Sequence, residues 1–218
     1  MGTFTKRYNI DFEFHFTNSF NDKDGNVIVS SGKTDAGVPI MMKTNASGNP
    51  LWAKEYLIGG STERGIEKII KVGMNKYLLY VQKDDYYNVF LLIDADGNVL
   101  SVKYSYKNSS SKIHILSLPF VGFTIVESAI SFNDFFHPSF AFFNENFEHQ
   151  YGYTIDERLI IRSIDFIPVG IAMVGMGQDN NNYVLFFDKT RVESGKYNRM
   201  LRLHNDMAGT WDIYDIKT

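Results

Sequence analysis

The stretch "LLIDADGNVL", Leu91–Leu100, decides how the chain is read: its "DADGN" is either a cation loop or a tight turn between two strands. An EF-hand-type calcium loop needs Asp or Asn at positions 1, 3 and 5, Gly at 6 and Glu at 12. Counted from Asp94, the glycine falls at position four and Ser105 at position twelve. Three other segments have the same outline of an apolar run, an Asx-led polar turn and a second run: "MMKTNASGNPLW", "AFFNENFEHQY" and "VLFFDKTRV". Their turns, "NASGN", "NENFE" and "DKTRV", carry too few carboxylates to hold a cation. Asx and Gly residues supply positive φ and local side-chain hydrogen bonds in hairpin turns. Asp94–Asn98 is therefore read as a turn, and so is "DKDGN" at Asp22–Asn26.

The turns recur with a period. Their pivots Asn45, Asp94, Asn144 and Asp188 are 49, 50 and 44 residues apart. A second apolar run precedes each pivot, with matching residues Val27, Tyr77, Phe123 and Ile171 at spacings of 50, 46 and 48. A third run comes earlier, and Phe20, Ile70, Leu116 and Ile164 each stand seven residues before those markers. Three markers in step define an internal repeat. Each unit holds four strand-length runs, seen well in "IEKIIKV", "KYLLYVQ", "VFLLIDA" and "VLSVKYSY", and no long segment has a helical period. Periods of about 40–50 residues with four strands each point to β-propeller blades. The expectation is an all-β, single-domain propeller over residues 1–218, of about four four-stranded blades. The units run roughly 7–57, 65–106, 110–154 and 157–204, with 205–218 as closing strand or tail. The alternative is an open arc of blades completed by a partner chain.

"IMMKTNASGNPLWAKEYLIGG" followed by "IEKIIKVGMNKYLLYVQ" resembles the tandem propeller repeats of bacterial, Bacteroidetes-like, surface and secreted proteins. The match rests on Lys43, Thr44, Asn45, Ser47, Gly48, Asn49 and Trp52. The second unit keeps Asp94, Gly97 and Asn98 without the Trp, and the last two units replace the glycine with Phe147 and Arg191. The resemblance implies a fold and an interaction role, and no catalytic residues.

Composition removes several function classes. The chain is 44% hydrophobic and 15% aromatic, which suits a mainly β protein with a substantial core. A net charge of −3 gives no global attraction for phosphate backbones, so nucleic acid is not an expected partner. With no cysteine there is no disulfide, thiol catalysis or cysteine zinc site. No apolar run approaches the roughly 18 residues of a membrane helix, so membrane insertion is not expected. "MGTFTKRYNIDFEF" lacks the apolar core of a secretion signal, which favours a cytoplasmic or particle-associated protein over a secreted one.

Candidate chemistry is sparse. None of His15, His114, His137, His149 and His204 stands two or four residues from another. Asp134 and His137 form an acid–base pattern without an identifiable nucleophile, and no G-x-S-x-G, P-loop or dinucleotide motif occurs. No catalytic, cofactor or metal residues are assigned. The strongest signal outside the core is aromatic: "DDYYN" and "SFNDFFHPSF" set Tyr86, Tyr87, Phe132, Phe135 and Phe136 in matching second-to-third-strand connections. Large apolar groups in polar loops are costly to expose, and aromatics dominate interface hot spots. These five are the expected partner contacts, unless they pack on their own blade. The function expected is a non-enzymatic protein-interaction or structural module, with a phage or injection-machine assembly as one setting. A carbohydrate-binding propeller is the alternative.

Overall fold

The computed structural model describes residues 16–21, 27–33, 38–58, 65–82, 87–106, 112–118, 122–128, 137–156, 158–167, 170–177, 179, 181–188, 199–205 and 211–216. For 16–18, 21, 27–33, 188, 199–205 and 211–216 only the backbone is described. The described residues form strands and turns without a helix, so none is long and apolar enough to cross a membrane.

Four antiparallel sheets follow one another along the chain, each a meander in which neighbours in sequence pair. The first holds β1 (Phe16–Asn21), β2 (Val27–Lys33), β3 (Pro39–Thr44) and β4 (Pro50–Glu55). The second holds β5 (Ile66–Val72), β6 (Lys76–Gln82), β7 (Tyr87–Asp94) and β8 (Val99–Tyr106). The third holds β9 (Lys112–Leu118), β10 (Gly122–Ser128), β11 (Ser139–Phe143) and β12 (His149–Thr154). The fourth holds β13 (Leu159–Ile167), β14 (Gly170–Gly177), β15 (Asn182–Asp188) and β16 (Arg199–Asn205), and β17 (Trp211–Ile216) pairs with β16 as a fifth strand.

Register shows why the sequence repeats. Val27, Tyr77, Phe123 and Ile171 each pair with the residue just before a pivot: Thr44, Ile93, Phe143 and Phe187. Phe20, Ile70 and Leu116 each pair with the residue just after those markers, Ile28, Leu78 and Thr124. Ile164 departs from this pattern. It pairs with Met173, two residues past Ile171. The connection from Ile167 to Gly170 has two residues, whereas Leu118 to Gly122 and Val72 to Lys76 have three, so the ladder slips by one. A bulge between Ile161 and Ser163 lies in the same ladder.

The pivots build one loop three times. In each, the Asx side-chain oxygen accepts hydrogen bonds from the backbone N–H two and four residues on: Ser47 and Asn49 for Asn45, Asp96 and Asn98 for Asp94, Asn146 and Glu148 for Asn144. The residue three past the pivot turns left-handed, at φ 73° for Gly48, 77° for Gly97 and 65° for Phe147. This is the turn-plus-bulge hairpin that usually calls for glycine. Phe147 tolerates the conformation because its ring is buried, edge-on to Phe123 and Phe143 with centroids 5.1 Å away in both cases.

The chain divides into two compact units, 1–107 and 108–218. In the first, Met41, Tyr56 and Ile58 pack with Ile66, Ile69, Tyr77, Leu79, Val81, Val89, Leu91 and Ile93 of the second sheet. In the second, Leu116, Val126, Phe140, Phe142 and Ile155 pack with Leu159, Ile161, Ile164, Ile171, Met173, Leu185 and Phe187 of the fourth sheet. Each unit is thus a pair of sheets joined by an apolar layer, the arrangement that covers faces a lone four-stranded sheet leaves wet.

Candidate functional site

The first unit locks its two sheets together at the Asp94 turn. Trp52, from the outer strand β4, lays its indole on Gly97 and donates from Nε1 to the Ala95 carbonyl at 3.1 Å. Lys54 Nζ donates to Asn98 Oδ1 at 2.7 Å, and Tyr56 Oη donates to the Gly97 carbonyl at 3.2 Å. Lys43, nearly buried, reaches the Ala95 carbonyl and the Tyr77 hydroxyl, both at 3.4 Å. Burial pushes the Tyr56 phenol well above its ordinary pKa, and the Asp94 charge adds to that. For Asp94 itself, desolvation acts upward but is outweighed by hydrogen bonds from Asn98 and Asp96 and by the Lys54 charge, which hold the carboxyl below its usual value. Both carboxylate oxygens are engaged within the turn, Oδ1 by backbone N–H groups and Oδ2 by Asn98 Nδ2. The turn is an inter-sheet fastener.

The outer strand of the second sheet is left open. The pairs Tyr87↔Tyr106, Val89↔Tyr104, Leu91↔Val102 and Ile93↔Val99 set all eight side chains on one side, since directly opposed residues share a face. Val89, Leu91 and Ile93 are buried in the inter-sheet layer. Their partners on β8 are not: Tyr104 is 55% exposed and Tyr106 69%, with Val99 and Val102 also open. The opposite face of β8 carries Ser101, Lys103 and Ser105, and Ser105 accepts a hydrogen bond from buried Asn88.

Position by position, β8 is inverted relative to β4 and β12. Seven, nine and eleven residues after the pivot stand Trp52, Lys54 and Tyr56 in the first unit of the repeat and Tyr151, Tyr153 and Ile155 in the third, but Ser101, Lys103 and Ser105 in the second. Eight, ten and twelve residues after it stand Ala53, Glu55 and Leu57, then Gly152, Thr154 and Asp156, but Val102, Tyr104 and Tyr106 in the second. The registers Lys43↔Trp52, Leu92↔Ser101 and Phe142↔Tyr151 place these positions equivalently. The large apolar groups of β8 thus occupy the side where, apart from Leu57, the counterparts on the first and third sheets are small, polar or charged.

Beside this row lies a slot of about 340 Å³, lined by Glu55, Tyr56, Leu57, Ile58, Leu91, Val99, Val102 and Tyr104. Leu91 is its floor, nearly inaccessible, and Leu57 stands at the rim, 82% exposed. Glu55 is the one acid in the lining.

No family model and no curated protein sequence matches the chain.

Of the expected contacts, Tyr87 is half-open at the start of β7 and meets Tyr106 edge-on, ring centroids 6.0 Å apart. Tyr86, Phe132, Phe135 and Phe136 lie outside the described residues, as does Asp134. His137 places Nδ1 2.9 Å from the Ile155 carbonyl and Nε2 3.4 Å from Arg158 Nε, which donates to it. His114 Nε2 is 3.1 Å from the Ile161 carbonyl, and His149 sits against the Phe143 ring. All three are engaged locally. The β8 row was missed because "VLSVKYSY" reads as an ordinary alternating strand; the signal that finds it is comparison of its phase with "PLWAKEYL" and "HQYGYTID".

Proposed function

We propose that the protein is a non-enzymatic interaction module, built as a β-propeller with each four-stranded sheet as a blade, and that the open face of β8 is its partner contact. The propeller reading is supported by the shared strand order, the register common to the pivots, and the laying of one sheet on the next within each unit. It agrees with the likeness to tandem propeller repeats at Lys43–Trp52. A single observation carries the interaction reading: Val102, Tyr104 and Tyr106 are exposed in inverted phase on an outer strand, together with Tyr87 and Leu57. An exposed aromatic row supplies the large, rigid groups from which hot spots are made. A phage or injection-machine particle is one setting for such a module.

Retention experiments with the native source extract test this. The wild-type chain retains a protein partner, and Tyr104→Ser with Tyr106→Ser weakens retention by about 2 kcal/mol or more, as for a hot spot. The double variant keeps the wild-type far-UV spectrum. Full retention by a folded double variant places the contact elsewhere. Binding to a glycan array with no protein retained selects the carbohydrate reading, in which the tyrosines stack on sugar rings. Trp52 is ill suited to that role, because its indole is committed to Ala95 and Gly97.

A further inference from the structure

Among the described residues β8 is the last strand of its sheet, joined to it through β7. Asp94 turns its N–H to the β8 side, donating to the Asn98 carbonyl at 3.0 Å. β7 pairs with β6 without a bulge, so by alternation the backbone groups of Leu92, Phe90 and Asn88 turn to β8 as well. Their partners Ser101, Lys103 and Ser105 are the residues of β8 that bond to β7. Val102, Tyr104 and Tyr106 therefore direct their N–H and C=O groups to the outer edge of the sheet. The same alternation, followed from Asn45 and Asn144, puts Ala53 and Glu55 at the outer edge of β4 and Gly152 and Thr154 at that of β12. Those edges offer a pairing strand only small, polar or charged side chains, and charge is a usual protection of an edge. On β8 the edge-directed groups belong to the large exposed residues. β8 has no proline, and Lys103 is its one charge. The fourth sheet shows what an outer strand of this repeat accepts: β17 lies antiparallel on β16, the strand at the same place in its sheet.

Resting on the interaction reading above, we propose that the partner at β8 is a second copy of this chain, whose β8 pairs antiparallel with the first about a two-fold axis at Tyr104. A two-fold contact is self-complementary, with each pair of residues made twice. With Tyr104 opposite Tyr104, Val102 falls opposite Tyr106 and Lys103 opposite Ser105. The edge-directed groups of Val102, Tyr104 and Tyr106 then all meet one another, in about six backbone hydrogen bonds. Directly opposed residues share a face, so the two exposed rows become one, built of aromatic and β-branched cross-strand pairs, which are favourable. Neighbouring registers fit less well. A shift of two residues one way sets Lys103 opposite its own copy, and like charges directly opposed are unfavourable. A further step that way meets the irregularity between Val99 and Ser101. A shift of two the other way carries Val102 past the end of β8, where it has no strand to meet. Size sets the strength. Tyr104 and Tyr106 are more than half exposed, so the two rings bring on the order of 250 Å² per copy to the contact. With the strand edge added, this belongs to the small end of protein interfaces, and the dimer is weak and reversible.

The test uses the full chain at two concentrations. Sedimentation velocity is expected to give a monomer at about 5 µM and a mass moving toward twice that at about 0.5 mM, the behaviour of a small interface. At the higher concentration the amides of Val102, Tyr104 and Tyr106 exchange at least about fivefold more slowly, while those of Lys103 and Ser105, already bonded to β7, are unchanged. Oxidation reads the register, since the chain has no cysteine of its own. Tyr104→Cys sets two thiols on residues about 5.5 Å apart at Cα, within disulfide reach, and is expected to form a covalent dimer. Tyr106→Cys, although that position is the more exposed, separates them by roughly 13 Å along the strands and stays monomeric. A monomer at both concentrations overturns the proposal, and so does equal cross-linking of the two variants. A dimer with unchanged exchange at Val102, Tyr104 and Tyr106 also overturns it, because the copies then meet elsewhere. Retention separates this from the broader reading. If the chain stays monomeric and Tyr104→Ser with Tyr106→Ser loses a different protein, the second copy is ruled out and the interaction surface stands. If that double variant both dimerises and retains proteins as the wild type does, the surface itself is wrong.

Discussion

Replacing Gly97 by Ala is expected to cost about 2–4 kcal/mol, and most of that cost is expected to vanish in a Trp52→Ala background. Gly97 sits at φ 77°, where a Cβ brings strain of about 1 kcal/mol or more. The added methyl also lands 2.9 Å from Trp52 Cη2, 3.0 Å from Cζ3 and 3.1 Å from Lys54 Cδ. The lysine stem can move aside. The indole cannot do so cheaply, because its Nε1 is tied to the Ala95 carbonyl and its ring fills the space between β4 and the turn. Overpacking of that kind costs about 1–3 kcal/mol. Removing the indole leaves only the backbone strain, so the two substitutions couple by about 1–3 kcal/mol in a double-mutant cycle. Urea unfolding of the four chains, followed by far-UV circular dichroism so that loss of a tryptophan does not alter the probe, measures this. Equal cost of Gly97→Ala in both backgrounds, within about 0.5 kcal/mol, refutes the fastener, since the indole then does not lie on the turn.

Three further outcomes are expected. Phe147→Ala should lower stability by about 3–5 kcal/mol, because the ring is 1% exposed and the replacement keeps the left-handed strain while losing its compensation; urea midpoints give the value, and a loss below about 1 kcal/mol contradicts it. Asp94 has a folded pKa below its unfolded one, so its contribution is present above pH about 4 and is lost as pH falls through the lower, folded value. The stability advantage of wild type over Asp94→Asn should therefore shrink on acidification, and an advantage that grows toward acid contradicts this. Thermal unfolding in EDTA and in millimolar calcium should give the same midpoint, because both Asp94 oxygens already accept hydrogen bonds within the turn; a calcium-dependent rise of more than a few degrees overturns that reading.

The parts of the fold that were legible in sequence are those set by local chemistry. Asn45, Asp94 and Asn144 announce their turns because an Asx oxygen capping the N–H groups two and four residues on is a property of five consecutive residues. The strands between them follow from alternation and β-branched or aromatic content, which supports the all-β reading. The slip at Ile164 was not legible. Its spacing of seven to Ile171 matches the other units, yet a two-residue connection changes the ladder's parity, and only the pairing reveals it. The fastener was half legible: Trp52 stood out, but its partner on Gly97 is 45 residues away, and a long-range contact leaves no mark on either local pattern. The slot was not legible, since its lining comes from three separate stretches, 55–58, Leu91 and 99–104, brought together by packing of two sheets.

The repeat supplies its own control for deciding which surface residues serve the fold. At the positions seven, nine and eleven past the pivot, the first and third outer strands carry large groups that bear on the adjoining sheet: Trp52 and Tyr56 in one case, Tyr151, Tyr153 and Ile155 in the other. Burial there repays large side chains whatever the protein does. On the other side of the same strands the fold asks for nothing large, and Ala53 and Gly152 are what two of the units offer. Val102 and Tyr104 stand at equivalent positions in the second unit, exposed, with Tyr106 two residues further. Exposed large apolar side chains on an edge strand invite unwanted association, and chains usually blunt such edges with charge or proline. The second unit keeps the turn and the pivot register of its neighbours but reverses the polarity of its outer strand. The reversal places large groups that stay exposed although they share a face with the inter-sheet residues Val89, Leu91 and Ile93. That exposed row is the observation on which the proposed partner contact rests.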